Sequence, residues 1–386
     1  MSSTIASALV GLDDDQKAAV CAPAGPVCIL AGAGTGKTRA ITHRIAHRVL
    51  LGQTAPQHVL AVTFTARAAG ELRGRLRQLG AAGVQARTFH AAALRQLRYF
   101  APRIFGGRAA PELLDSKVRA VAKAASLAKL NLERTALRDV TGEIEWAKSS
   151  LVDPADYPAA ALKVHRVPPL PVEQIVDVYT RYEQAKRAAG VIDFEDVLRA
   201  ATWAITEHSD VGEQIRAQYR HFVVDEYQDV NPLQYGLLQA WLGGRNDICV
   251  VGDACQTIYS FTGATWRYLA DFPMQYDDAT VVRLERDYRS TPQIVDLANQ
   301  VIASASQLQP RLRLKLVGQR KPGPLPRAHL FDDEPAEAAA VAQRCQELIA
   351  DGTTAAQIAV LFRTNAQSQA YEQALSNAGV PYVVQG

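Results

Sequence analysis

The chain has 386 residues, of which 48% are hydrophobic and 21% charged, and its formal net charge is +3. This length predicts two or three domains with their own cores, and the composition excludes a disulfide-stapled miniprotein and a disordered chain. No apolar run reaches the ~18 residues of a membrane span, and no basic start with an apolar stretch marks a secretory signal. The five cysteines are scattered and form no C-x-x-C pair. We therefore expect a cytosolic protein with reduced cysteines.

The positive charge is concentrated in two segments. Residues 67–108 contain nine arginines and one acidic residue, and residues 311–327 contain six lysines or arginines and no acid. Clusters of this kind attract phosphate groups, although a solvated helix face has the same composition. The charge distribution therefore leaves nucleic acid open as a partner.

Short runs of apolar residues recur along the chain, and a helical pattern follows each of them. The runs lie at residues 27–31, 59–64, 222–224 and 248–251. Continuous Val, Ile and Leu runs are typical of strands that are covered on both faces. The sequence therefore predicts an α/β fold with a parallel sheet.

Two further parts are predicted around these strands. Residues 105–185 combine helical spacing with a proline-rich end, which predicts a helical insertion closed by an irregular connection. A second alternating series at residues 280–284, 328–331 and 358–362 predicts the strands of a second α/β domain.

A glycine-rich segment, AGAGTGKT at residues 31–38, lies between a predicted strand and a predicted helix. Glycines in this context let backbone N–H groups surround phosphate oxygens at a helix N-terminus. Lys37 is the candidate for the β- and γ-phosphates of ATP, and the Thr38 hydroxyl is the candidate for Mg²⁺. The strict pattern has glycine at the first position, where this chain has alanine. The predicted ATP-binding loop consists of Ala31, Gly32, Ala33, Gly34, Thr35, Gly36, Lys37 and Thr38.

Another apolar run, at residues 222–224, ends in the adjacent acids Asp225 and Glu226. A carboxylate at the end of a buried strand can join the Mg²⁺ shell, and the next glutamate can accept the proton of an attacking water. We therefore predict Asp225 as a metal ligand together with Thr38, and Glu226 as the general base. Combined with the loop, the acid pair predicts an enzyme that hydrolyses ATP.

Five longer motifs resemble those of the UvrD/Rep/PcrA family of superfamily 1 DNA helicases. They are, in chain order, AVTFTARAA at 61–69, RTFH at 87–90, DEYQDVN at 225–231, VVGDACQTIYSFTGA at 250–264 and LERDYRST at 284–291. The resemblance covers essentially the whole chain. It implies a P-loop RecA-like parallel sheet domain with a helical insertion, followed by part of a second RecA-like domain.

The resemblance also implies domain boundaries. The first motor domain would comprise residues 1–104 and 186–275, the helical insertion residues 105–185, and the second motor domain residues 276–386. Family members continue with an accessory insertion and two further motifs. The resemblance therefore implies that these residues are an N-terminal fragment of a longer helicase.

For the ATP site, the resemblance adds residues outside the loop. Gln16 is expected to read the adenine edge with Arg39 nearby, and Tyr288 to stack on the base. Gln256 is expected to sense the γ-phosphate and couple it to the DNA groove. Arg289 is expected to be an arginine finger that the second domain offers to ATP held on the first. The expected catalytic set is Lys37, Asp225, Glu226, Gln256 and Arg289.

For DNA, the resemblance implies aromatic platforms that stack on bases without reading sequence. The matching positions are Phe64, Phe194, Tyr259 and Phe261. Expected sugar-phosphate contacts are Thr63, Thr88, His90, Arg363 and Asn365, and a buried structural histidine is the alternative for His90.

Three positions depart from the family pattern. Cys255 stands where relatives usually have an acid, Phe261 where a tryptophan is common, and Thr262 where an arginine is common. The last two lie in the expected DNA groove, so the departures concern the grip on DNA rather than the ATP site.

The resemblance implies an ATP-dependent 3′-to-5′ single-strand DNA translocase and helicase in DNA repair or replication, with ATP and Mg²⁺ as cofactors. Expected partners are single-stranded DNA, 3′-tailed duplex DNA and DNA repair proteins, without a membrane, and the expected location is the cytoplasm at the nucleoid. We expect the chain alone to bind ATP and to fail in unwinding. Two alternatives stay open, namely an ATP-switched DNA-binding scaffold without unwinding and a subunit of a helicase-nuclease.

Overall fold

The computed structural model describes residues 8–304 and 310–384. The chain divides into a first compact unit that runs to Gly323 and a second that begins at Pro324. None of the helices in the described ranges is long and apolar enough to cross a membrane.

A parallel sheet of six strands organises the first unit, within the residues that the structure describes. In chain order, the strands of the protein are β1 (Val27–Ala31), β2 (Val59–Thr63), β3 (Gln85–Thr88), β4 (Glu112–Leu113), β5 (Val191–Ile192), β6 (His221–Val224), β7 (Ile248–Gly252), β8 (Thr280–Leu284), β9 (Arg286–Asp287) and β10 (Val317–Gly318). The main sheet has the order β3-β2-β6-β7-β1-β8, and β4 with β5 and β9 with β10 form two small parallel pairs. The predicted parallel α/β fold is confirmed.

Helices connect and cover these strands. They are α1 (Asp14–Cys21), α2 (Lys37–Leu50), α3 (Ala66–Gln78), α4 (Phe89–Ile104), α5 (Lys117–Leu127), α6 (Arg134–Ser149), α7 (Tyr157–Lys163), α8 (Val172–Ala189), α9 (Phe194–Glu207), α10 (Ser209–Gln218), α11 (Pro232–Leu242), α12 (Arg267–Gln275), α13 (Pro292–Ser304), α14 (Glu334–Ala350) and α15 (Ser368–Asn377).

The central strands are buried on both faces, as their uninterrupted apolar sequences predict. In β7, Ile248 and Val250 enter one core cluster, whereas Cys249 and Val251 enter another. Successive side chains of a strand point to opposite faces, so each strand contributes to both layers. Helices therefore cover the sheet on two sides, and its carboxyl edge is left for the loops that follow the strands.

The structure corrects the predicted place of β8. Residues 280–284 are predicted to lie in the sheet of a second domain. The structure pairs β8 with β1 in parallel register, from Val27 opposite Thr280 to Ala31 opposite Leu284. The strand belongs to the first sheet because β1 offers it a hydrogen-bonding edge along its whole length.

The strands predicted at 328–331 and 358–362 are also corrected. Neither segment is paired in a sheet among the described residues. Alternating hydrophobicity favours an extended chain, but a strand also needs a neighbour that completes its ladder. In the second unit, α14 and α15 instead pack around Ala342, Cys345, Leu375 and Val380.

The region predicted as a helical insertion has its own core. Helices α5, α6, α7 and α8 surround buried side chains that include Ile144, Tyr157, Tyr179 and Tyr182. The proline-rich stretch is less irregular than expected, because it contains α7. Pro158 lies in the first turn of that helix, where no intrahelical N–H bond is lost.

Five charged side chains, three of them buried and two half-buried, join this helical region to the sheet domain. Lys148 on α6 and Lys186 on α8 each lie within 3.0 Å of carboxylate oxygens of Glu183, Asp193 and Asp196. The three carboxylates are close enough together to hold a metal ion. Each of the two ammonium groups forms ion pairs with all three carboxylates, so we assign the cluster a structural role.

Trp241 provides a test of the core. Its side chain is 0% exposed, its ring stacks on Phe89 and Phe222, and its Nε1 donates to Gln96 Oε1 at 2.8 Å. Trp241→Ala should lower the free energy of unfolding by about 3–5 kcal/mol, because it leaves a cavity. Trp203, which is 46% exposed, is the matched control, and Trp203→Ala should change stability by less than about 1 kcal/mol. Urea denaturation followed by circular dichroism measures both, and equal losses would contradict this account of the core.

Candidate active site

The phosphate loop connects β1 to α2 at the carboxyl edge of the sheet. Gly34 and Gly36 have φ angles of 72° and 84°, a conformation that a side chain disfavours. Thr35 Oγ1 donates to the Gly32 carbonyl at 2.8 Å and closes the loop on itself. The loop therefore leads directly into the N-terminus of α2, where Lys37 is the first helical residue and Thr38 the second.

Lys37 brings together segments that follow three neighbouring strands. Its Nζ lies 3.3 Å from Glu226 Oε2 and donates to Gln256 Oε1 at 3.1 Å. Glu226 follows β6, Gln256 follows β7, and Lys37 follows β1, and these strands are adjacent in the sheet. The predicted loop and acid pair therefore meet in space, together with the glutamine that the motif resemblance added.

Asp225 is buried beside this group. Its backbone N–H donates to the Val62 carbonyl at 2.9 Å, and its Oδ1 accepts from the Glu226 N–H at 3.0 Å. Burial, followed by the charge of Glu226, raises the pKa of Asp225 to about 7, against the opposing effect of Lys37. Asp225 and Glu226 are adjacent carboxylates, and a bound cation would stabilise their charged forms. The donor set of Asp225 and the Thr38 hydroxyl consists of oxygen atoms and fits Mg²⁺.

A closed ring of hydrogen bonds runs through the site. Gln228 Nε2 donates to Glu226 Oε2 at 2.8 Å, and Gln228 Oε1 accepts from the Asp253 N–H at 3.1 Å. Asp253 Oδ2 accepts from Gln256 Nε2 at 2.8 Å, and Gln256 contacts Lys37. Gln228 and Asp253 are not among the predicted site residues, although both lie inside the DEYQDVN and VVGDACQTIYSFTGA motifs. Their positions two residues after the acid pair and three before Gln256 were the available signal.

The expected adenine side of the site contains Gln16 and Tyr288. Gln16 is buried, and its Nε2 donates to the Thr35 carbonyl at 3.0 Å. The Tyr288 N–H donates to the Gly34 carbonyl at 3.0 Å, and its hydroxyl donates to Asp13 Oδ2 at 2.6 Å. Asp13 also caps α1 and was missed, because a capping residue has no sequence feature that points to a distant tyrosine.

Arg39 and Arg289 lie at the outside of this arrangement. The Arg39 guanidinium passes close to the backbone of Gly11. Arg289 is exposed, and its N–H donates to Asp287 Oδ1 at 2.6 Å. Arg289 lies in the first compact unit and directly follows Tyr288, whose N–H donates to the phosphate loop, while its assignment to a second motor domain stays a prediction. Its role as a finger stays a prediction.

The expected DNA contacts fall into groups with different surroundings. Phe64 packs its ring 6.2 Å from Phe89 against the core, and Thr63 is buried at the end of β2. Thr88 caps α4, and its Oγ1 accepts from the Ala91 N–H at 3.1 Å. These side chains have structural roles in addition to any contact with DNA.

The other expected aromatic platforms are exposed. Phe194 lies 5.7 Å from the His90 ring, and Tyr259 lies 6.1 Å from Phe261. Burial, followed by the charge of Lys117, lowers the pKa of His90 to about 4. His90 is therefore neutral at pH 7 and offers no cation to a phosphate.

Arg363 and Asn365 lie in the second unit. The Arg363 N–H donates to Gln367 Oε1 at 2.9 Å, and Asn365 is the first residue of the short 3₁₀ helix Asn365–Gln367. Their expected DNA contacts stay predictions.

A phosphate loop after β1 and an acid pair after β6 of one parallel sheet define a P-loop nucleotide-binding α/β protein. Residues 12–277 match the UvrD/REP helicase N-terminal domain, and residues 282–386 match the UvrD-like helicase C-terminal domain. The chain belongs to the UvrD/REP helicase family, as the motif resemblance predicted. The two family domains meet close to the predicted boundary at residue 276, whereas the compact units divide after Gly323.

Individual relatives agree with this assignment. The chain is 56% identical over 389 residues to the ATP-dependent DNA helicase UvrD2 of Mycobacterium tuberculosis, covering 98% of this chain and 55% of that protein. It is 35% identical to UvrD1 of the same organism, with 98% and 50% covered, and 33% identical to PcrA of Bacillus subtilis, with 98% and 51% covered. The chain spans about half the length of the curated relatives it matches.

Gly34 allows a test of the loop geometry. A Cβ at this position would lie 2.4 Å from Asp287 Oδ1, whereas a Cβ at Gly52, with nearly the same φ, meets nothing within 4 Å. Gly34→Ala and Gly52→Ala should both cost about 1–2 kcal/mol of stability from the left-handed backbone, and Gly34→Ala should cost more because of the overlap with Asp287. Only Gly34→Ala should weaken ATP binding, by roughly tenfold or more, which corresponds to about 1.4 kcal/mol. Fluorescent-nucleotide titration measures the affinity, and a similar loss in Gly52→Ala would show that the steric explanation is wrong.

Proposed function

We propose that this chain is the ATP-hydrolysing part of a DNA helicase that translocates 3′-to-5′ along single-stranded DNA. The observation that carries the proposal is the contact of Lys37 with both Glu226 and Gln256. A phosphate-binding lysine, a general base and the start of an exposed aromatic loop are thereby joined in one hydrogen-bonded ring. Such a ring can couple the binding and hydrolysis of ATP to the affinity for single-stranded DNA.

The chemistry follows from the groups in the ring. Phosphate binding by Lys37 takes its ammonium away from Glu226, and this frees the carboxylate to accept a proton from water. Mg²⁺, when bound by Asp225 and Thr38, supplies charge neutralisation for the phosphates. Arg289 is proposed to stabilise the charge that develops on the γ-phosphate, and Gln16, Arg39 and Tyr288 are proposed to hold the base. 

The coupling to DNA follows from chain connectivity. Gln256 begins a segment that reaches Tyr259 and Phe261 within five residues, and both rings are exposed. When the γ-phosphate competes for Lys37, Gln256 loses or changes its contact, and the backbone that carries the rings moves with it. Stacking on successive bases requires no sequence recognition, which suits a translocase.

The proposed partners are single-stranded DNA, 3′-tailed duplex DNA and DNA repair proteins, and the proposed location is the cytoplasm at the nucleoid. Curated relatives named as ATP-dependent DNA helicases support the activity. Displacement of streptavidin from strands with biotin at either the 3′ or the 5′ end tests the direction. ATPase activity that DNA stimulates without displacement or unwinding would favour the scaffold alternative.

Lys37→Ala and Glu226→Gln should both abolish hydrolysis, for different reasons. The first variant removes a cation that binds phosphates, so ATP affinity should fall. The second removes the base, so ATP should stay bound and uncleaved. Equilibrium nucleotide binding and single-turnover hydrolysis distinguish the two. An equal loss of ATP affinity in both variants would refute the assigned roles.

Phe261→Ala should weaken single-stranded DNA binding by about 1–3 kcal/mol, because it removes one stacking platform. Phe261 suits this test because it is 60% exposed, whereas Phe64 also packs on the core. Tyr99, which is 75% exposed on α4, is the matched control, and Tyr99→Ala should change the affinity by less than about 0.5 kcal/mol. Fluorescence anisotropy with labelled oligothymidine measures the affinity. Equal effects, or a fall in the melting temperature of Phe261→Ala that accounts for its loss, would contradict the stacking role.

A further inference from the structure

Arg166, in the helical insertion (residues 105–185), connects three features of the first unit. Its Nε lies 2.8 Å from both carboxylate oxygens of Glu143, and its guanidinium lies 4.4 Å from the centre of the Trp146 ring. Its Nη2 donates to the Phe261 carbonyl at 3.2 Å. One side chain thus joins the core of the insertion to the aromatic loop that follows β7.

The backbone before Arg166 directs it toward this position. Helix α7 ends at Lys163, and His165 adopts a φ of 53°, which is uncommon for a residue with a side chain. The Arg166 N–H then donates to the Ala161 carbonyl at 3.0 Å and closes the turn. The tight turn reverses the chain, so that Arg166 lies against α6 rather than continuing along α7.

The inner end of the guanidinium is fixed by a buried acid. Glu143 is 4% exposed and also accepts a hydrogen bond from the Tyr157 hydroxyl at 2.5 Å. A charge-assisted contact to two oxygens restricts the plane of a guanidinium, and stacking on Trp146 restricts it further. The Nη2 group of Arg166 is therefore held in one direction, toward the Phe261 carbonyl.

The loop that receives this hydrogen bond carries the exposed Phe261 ring, which lies 6.1 Å from the Tyr259 ring. Phe261 belongs to the short 3₁₀ helix Ser260–Thr262, and its ring borders a groove of about 1520 Å³ that Arg166 also lines. The loop backbone approaches the end of α6, since a Cβ on Gly263 would lie 3.0 Å from Ser150 Oγ. The contact from Arg166 adds a directional bond at the residue that carries the exposed ring.

We infer that Arg166 is a positioning residue that holds Phe261 in the orientation in which its ring stacks on a base. The inference rests on the proposed function, because it assigns Arg166 to the same grip on single-stranded DNA. The helical insertion would thereby act on DNA affinity through a loop of the sheet domain, without a contact of Arg166 to the strand.

Arg166→Lys tests this inference, because lysine keeps a cation beside Glu143 but cannot span both partners with one ammonium. The variant should weaken oligothymidine binding by about three- to tenfold. This is less than the loss expected when the stacking ring itself is removed in Phe261→Ala. In the Phe261→Ala background, the same change should have no further effect. ATP affinity should stay unchanged, and any fall in the melting temperature from the weaker contact with Glu143 should be the same in both backgrounds.

Two other outcomes of this double-mutant cycle would overturn the inference. A direct contact of Arg166 to phosphate would give the same loss of affinity in both backgrounds, because that contact does not depend on the Phe261 ring. A merely structural role would lower ATP affinity and the melting temperature together with DNA affinity. Each outcome is separable from the predicted one in the same set of titrations.

Hydrogen–deuterium exchange without DNA decides the positioning independently of the proposed function. The N–H groups of Thr262, Gly263 and Ala264 are bonded within the loop, and their exchange should become faster in Arg166→Lys. Lys163→Ala, which alters an exposed cation on the same groove, is the control and should leave their exchange unchanged. If the wild-type chain bound no single-stranded DNA, the proposed function would fail while the exchange would still report on the loop. Unchanged exchange in Arg166→Lys would refute the positioning role.

Discussion

The ammonium of Lys37 is the point on which the described site depends. It is the partner of Glu226 and of Gln256, and these residues follow different strands of the sheet. Asp225 beside this group is buried, and the charge of Lys37 opposes the rise of its pKa, so the lysine contributes to the arrangement of the site as well as to the proposed phosphate binding. The same charge therefore serves folding and chemistry, and a nucleotide that takes it over necessarily redistributes the contacts around it.

The sheet and the phosphate loop could be predicted because their signals are local. The apolar runs of β1, β2, β6 and β7 mark strands buried on both faces, and AGAGTGKT needs only its flanking strand and helix. The partners of a strand, by contrast, are not encoded in the strand itself. Residues 280–284 have the expected alternation, yet their place beside β1 depends on which sheet edge is free. For the same reason, residues 328–331 and 358–362 do not become strands.

The site shows a similar division. Lys37, Asp225 and Glu226 follow from chemistry at known positions of a motif, and Gln256 follows from resemblance. Gln228 and Asp253 complete the ring through amide and backbone contacts that depend on the relative placement of two loops. The contact of Arg166 is harder still to predict. It depends on the turn at His165, which has a positive φ, and its acceptor is the Phe261 carbonyl, 95 positions away in the chain.

The short path from β8 to Tyr288 has a consequence for how nucleotide enters. Only four positions separate Leu284, paired with Ala31, from Tyr288, which is bonded to Gly34 and Asp13. The proposed base-binding side of the site is therefore ordered by the same main-chain ladder that forms the sheet. The segment from Leu284 to Tyr288 loses its conformational entropy when the protein folds. Little of that entropy therefore remains to be lost when nucleotide binds. Such rigidity favours entry of nucleotide at the proposed site, because binding does not have to wait for a disordered loop to organise.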